Sequence, residues 1–244
     1  MSETAVTHVG EPTRHPGSKL AAVAGIASAL SFFVGTAILN VPTKATDGEL
    51  VRWWSSSSHQ LEALISLIAF TLAGLLFLVF LAHLRTRLLT SEGGEGTLTT
   101  IVFSAGLLFV GMLFLAATAR GVISFAIKSP VGEQPLPSVD LLRYLPQISY
   151  VVLGFCGLLS AALAMAVTSV LAFRTGVFGR WLAWLGVICA AALVAANVVL
   201  IGVGAIPAML VWTVATSVVL GRSAAPTREI ATSRIAMPQL KGTR

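Results

Sequence analysis

His59 and Glu62 stand three residues apart just ahead of a long apolar run, a spacing that puts both on one face of a helix. An imidazole and a carboxylate so placed can share a proton or hold a cationic group. Arg120, Asp140, Arg143 and Tyr144 flank later apolar runs that are expected to surface on the same side, so the six together define a candidate polar vestibule. Ionisable groups at the edge of hydrocarbon mark a functional hypothesis by default. A structural reading competes with it and takes precedence. Charges within a turn of a helix end reach water along their own stems, and a Glu62 to Arg120 pair would simply lock two helices.

The elements that must position these groups are apolar helices. Of the 244 residues, 56% are hydrophobic and 11% charged, with a mean hydropathy of +0.88, well above a soluble domain. A helix needs about 20 apolar residues to cross about 30 Å of hydrocarbon. Six segments qualify: Leu20–Leu39, Leu61–Leu81, Thr99–Ala119, Leu145–Phe173, Trp181–Ile201 and Val203–Leu220. The sequence therefore predicts an all-α fold, a polytopic transmembrane bundle of six helices over residues 19–221, with the last two joined tightly through Gly202-Val203-Gly204. A membrane β-barrel is not expected, because its strands alternate in polarity and these runs do not.

Residues 1–18 read as a disordered polar tail and 222–244 as a loose basic one. With both termini cytoplasmic, eleven of the sixteen Lys and Arg fall on the inner side, among them Arg85, Arg174 and Arg222, as the positive-inside rule requires. The net charge of +6 is then mostly this asymmetry and an attraction to anionic headgroups. Membrane lipids are expected partners and nucleic acid is not.

The stretch TDGELVRWWSSSSHQLE, Thr46 to Glu62, follows the first apolar run. Thr46 with Asp47 and Glu49 reads as a capped helix start. Trp53 and Trp54 read as interface anchors at headgroup level, as do Arg180, Trp181 and Trp184 on the inner side. Gly154, Gly157, Ala161 and Ala164 recur at spacings of three and four, a smooth stripe for helix packing. Asn197 is expected to join two helices by a hydrogen bond. Cys156 and Cys189 lie within apolar runs and form no C-x-x-C, so neither a disulfide framework nor a thiolate metal site is expected. Only four histidines occur, at 8, 15, 59 and 83, and no Walker, GxSxG or HExxH pattern is present. No metal, cofactor or catalytic residue is therefore expected.

The motif TGVFGRWLAWL, Thr175 to Leu185, resembles a recurrent feature of a family of actinobacterial integral membrane proteins of unassigned function, in which a turn leads into Arg-Trp-Leu-x-Trp-Leu-Gly at the start of the penultimate helix. The acidic loop after the first helix and the Leu-Arg-rich end of the second are similar too. Gly179 stands where that family often has proline. The resemblance implies a multi-pass protein of a bacterial plasma membrane, with no catalytic residues to carry over. The expected function is a non-enzymatic scaffold or accessory subunit that packs against itself or a protein partner. The alternative is a carrier or binder of a lipid or small amphiphile through the outer vestibule.

Overall fold

Serine hydroxyls knit the first two long helices together. Ser28 donates to the Ala73 carbonyl at 2.8 Å, Ser31 to Ala69 at 2.8 Å, and Ser66 back to Gly35 at 2.7 Å. Between apolar helices that lipid surrounds as readily as each other, such bonds and close van der Waals fit supply the adhesion, at about 0.6 kcal/mol per bond. The helices are α1 (Pro16–Ile38) and α3 (Ser57–Glu92), and between them lies a short α2 (Asp47–Trp54).

The computed structural model describes residues 16–42, 44–128, 135–199 and 202–222. Beyond α3 it contains α4 (Thr97–Lys128), α5 (Val139–Val151), a π-helical segment (Val152–Gly157), α6 (Leu158–Thr175), α7 (Arg180–Val198), a 3₁₀ turn (Gly202–Ala205) and α8 (Ile206–Arg222). No strand occurs among the described residues. Among the described residues, five continuous helices are long and apolar enough to cross a membrane, counting Val139–Thr175 as one, and α8 is a shorter apolar helix. The expected tails fall outside the described residues, save that α1 already starts at Pro16 and α8 ends at Arg222.

The helices overrun the apolar segments that announce them. The second was expected over Leu61–Leu81 and runs for 36 residues, about 54 Å at 1.5 Å per residue. Hydropathy marks the stretch that suits hydrocarbon, whereas backbone hydrogen bonding continues through a flank rich in good helix formers, here Leu84, Arg85, Arg87, Leu88 and Leu89. Likewise α4 continues past Ala119 to Lys128. The fifth stops earlier than expected, at Val198, and the sixth begins at Ile206 after a 3₁₀ turn rather than at Val203.

Packing closes the helices into a ring in the order α1, α3, α4, α6, α7, α8 and back to α1. Neighbours run antiparallel: Gly25 of α1 meets Ser217 of α8 and Phe80 of α3, and Gly186 of α7 meets Ser169 of α6. Between α3, α4, α6 and α8, Phe77, Phe109, Met165 and Trp212 line an apolar cavity of about 330 Å³ counted with its open side, whose enclosed part, about 10 Å³, has room for about one water.

A second, smaller core covers one end of the ring. Leu39, Leu50, Trp54, Ala63, Ile123 and Leu142 pack there, drawn from the residue after α1, from α2, and from the near ends of α3, α4 and α5. The opposite end collects Lys19, Arg85, Arg87, Arg174, Arg180 and Arg222. There the turn Gly93-Gly94-Glu95-Gly96 holds three glycines at φ of 65, 71 and 67°, a left-handed region that favours glycine. The Glu92 carboxylate closes that turn by accepting the amides of Leu98 at 2.8 Å and Thr99 at 2.9 Å, so this glycine-rich turn is a hydrogen-bonded cap on α4.

Candidate functional site

Gly35 lets α1 approach α3 closely. A Cβ there would stand 2.9 Å from the Phe70 ring, tighter than side chains tolerate. That approach leaves the Gly35 carbonyl, one of the last four of α1, facing α4. Such terminal carbonyls lack partners within their own helix. Nη1 of Arg120 donates to it at 3.1 Å, beside the Ser66 hydroxyl. A cation at a helix C-terminus meets the negative end of the helix dipole.

Arg120 is only 3% exposed. It sits two turns before the end of α4, not at a helix end, because the helix continues through Gly121 to Lys128. Its guanidinium carbon lies 5.3 Å from the Phe70 ring centroid and 4.9 Å from that of Tyr150, an aromatic flank that attracts a cation on both sides. A hollow of about 230 Å³, counted with its open side, borders the group, with Thr36, Ser149, Tyr150, Leu153 and Ile206 on its other walls. Five elements meet there: α1, α3, α4, the α5 to π-helix passage and the start of α8.

The α5 wall has a local cause. Pro146 lies inside α5 and cannot donate the usual backbone bond. Six residues later the helix passes into a π segment over Val152–Gly157, a form that occurs mostly as single turns and often beside functional sites. Ser149 and Tyr150 stand just before it.

The six residues of the expected vestibule do not converge. His59 stacks on Trp53 at a centroid distance of 4.2 Å, and its Nδ1 lies 3.0 Å from the Trp53 carbonyl, so it pins the turn between α2 and α3. Arg143 donates from Nη2 to Asp47 Oδ1 at 2.7 Å and from Nη1 to the Ala45 carbonyl at 3.2 Å, tying α5 to the start of α2. Asp140 and Tyr144 are exposed, and Glu62 is half-buried. Glu62 pairs with neither His59 nor Arg120 among the described residues. Of the six, Arg120 borders the hollow described above.

Other expected positions also resolve. Trp54 is fully buried in the small core and not at a headgroup surface, because the amphipathic α2 turns that face inward. Trp53 is half-buried, whereas Trp181 and Trp184 are both 58% exposed on the outward side of α7, beside an exposed Arg180. Gly154, Gly157, Ala161 and Ala164 are all buried inside this chain's own bundle, Gly157 against Met112 of α4. Asn197 bonds the Leu193 carbonyl of its own helix at 2.9 Å rather than a neighbouring one. Thr36, Phe70, Ser149 and Tyr150 were not singled out from the sequence. Their one legible signal is Pro146 followed by Ser149-Tyr150 inside an otherwise apolar run.

Among the described residues, no three His, Cys, Asp or Glu side chains cluster as metal ligands would. The fold thus defines a class, an α-helical bundle with helices of membrane-spanning length. No protein-family model, curated protein or solved structure matches the chain.

Proposed function

We propose that this protein is a non-enzymatic scaffold or accessory subunit of a membrane complex, crossing a bacterial plasma membrane six times with both termini cytoplasmic. The close packing of the ring's interior supports this reading: the apolar cavity lined by Phe77, Phe109, Met165 and Trp212 has an enclosed part of only about 10 Å³, room for about one water. Lys19, Arg85, Arg87, Arg174, Arg180 and Arg222 share one end with Glu92 and Glu95, while Asp47, Glu49, Glu62 and Asp140 offset the basic residues of the other. That asymmetry supports the orientation.

Purification at native expression in nanodiscs, followed by mass spectrometry of every retained protein, tests it. A stoichiometric protein partner is expected. A solitary monomer under the mildest extraction overturns the reading.

A second reading, a binder of a lipid or small amphiphile, is favoured by one observation. Arg120 is a buried cation with a hollow beside it.

A further inference from the structure

We infer that the hollow beside Arg120 receives the carboxylate of a single-chain aliphatic amphiphile, with Arg120 as its charge partner. The inference rests on the binder reading and gives it a site and a ligand class.

The first argument is electrostatic. Taking a guanidinium out of water costs several kcal/mol unless a counter-charge and hydrogen bonds replace the water. Among the described residues no carboxylate pairs with Arg120, and one carbonyl, that of Gly35, accepts from it. The α1 terminus contributes about half an elementary charge, and the Phe70 and Tyr150 rings add a quadrupole attraction. Of five N–H donors, one is engaged. The charge is half-matched and most of the fork is unused.

The second argument is size and lining. The part of the hollow that admits a water-sized sphere is about 10 Å³, enough for about one oxygen-sized atom. A planar carboxylate can place a single oxygen in that space against the guanidinium, with its second oxygen toward the open side. A tetrahedral phosphate brings three oxygens and is bulkier at that mouth. The remaining walls, Phe70, Leu153 and Ile206, are apolar, which suits a methylene chain leaving an open side. Ser149 and Thr36 add hydroxyl groups at the head. The Thr36 hydroxyl already donates to Phe32 at 2.9 Å, so the donors for an anion come from Arg120 and Ser149.

The test uses the full-length protein in a neutral maltoside detergent, with sodium dodecanoate, dodecyl phosphate, dodecanol and sodium acetate as probes and calorimetric binding as the readout. Dodecanoate is expected to bind, at least tenfold tighter than dodecanol or dodecyl phosphate, and acetate is expected not to displace it. Arg120→Gln is expected to weaken dodecanoate at least tenfold. Because Arg120→Gln also removes a tie to α1, Ser149→Leu serves as a second variant: it fills the hollow, keeps the Gly35 bond, and is expected to weaken dodecanoate equally. Equal binding of dodecanol overturns the charge pairing, and tighter dodecyl phosphate overturns the carboxylate. Displacement by acetate overturns the amphiphile in favour of a free carboxylate. Wild-type binding in both variants puts the ligand elsewhere and leaves the binder reading standing. No binding of any probe sinks both.

Discussion

Nη1 of Arg120 reaches the Gly35 carbonyl at 3.1 Å across 85 residues of sequence, and the Ser66 hydroxyl shares that acceptor at 2.7 Å. One oxygen thus joins α4, α1 and α3 where the main core meets the smaller one. The Arg120→Met variant keeps most of the packing and removes the charged bond. The bond is charge-assisted, about 1.5–3 kcal/mol, but Met also relieves the desolvation of a half-matched guanidinium, so Arg120→Met is expected to cost no more than about 1.5 kcal/mol, against about 0.6 kcal/mol for Ser66→Ala. Reversible unfolding in mixed micelles measures both. Equal losses would show that the charge adds nothing to the junction.

Glycine positions divide by what surrounds them. At Gly186 a Cβ would run into the Ser169 hydroxyl and stand 2.9 Å from the Trp212 indole nitrogen and 3.4 Å from the Met165 carbonyl. Gly186→Val should cost about 1–3 kcal/mol by overpacking. At Gly111, in the middle of α4, nothing lies within 4 Å. Gly111→Ala should instead stabilise by about 0.5–1 kcal/mol through helix propensity. Thermal midpoints of the two variants should move in opposite directions.

The Arg143 to Asp47 pair is short at 2.7 Å, yet its side chains are 28% and 76% exposed. Water and salt screen such pairs. Asp47→Asn should therefore cost less than about 1 kcal/mol, and less still at high salt. Arg143→Ala should cost more, since it also frees the Ala45 carbonyl. Hydrogen exchange of the α2 amides reports the difference, and a salt-independent Asp47→Asn effect would contradict the assignment.

Glu49 gives α2 a pH dependence. Its carboxylate accepts the Thr46 amide at 2.8 Å and the Thr46 hydroxyl at 2.9 Å. The Thr46 amide, then its hydroxyl, hold the carboxyl below its ordinary value. A group with a lowered folded-state pKa stabilises above its unfolded value and loses that contribution as pH falls through the folded one. Exchange protection of the first turn of α2 should therefore drop in acid, below the ordinary carboxylate range. In Glu49→Gln the same amides should show weaker protection at neutral pH and no acid step.

The apolar runs alone determine an all-helical chain with helices of membrane-spanning length, since about 20 apolar residues leave the backbone no other way to satisfy itself in hydrocarbon. Thr46 with Glu49 likewise announces a helix start, because a cap is a matter of four consecutive residues. Hydropathy could not place Arg120. The apolar run ends at Ala119, but the helix does not, and burial of the guanidinium depends on Gly35, Phe70 and Tyr150, each from a different helix. Trp54 reads as a surface anchor until α2 is seen to fold its apolar face onto Ala63 and Leu142. The stripe from Gly154 to Ala164 declares close packing without naming its neighbour. Which helices meet is a property of the closed ring, set by shape and by long-range hydrogen bonds that no local window contains.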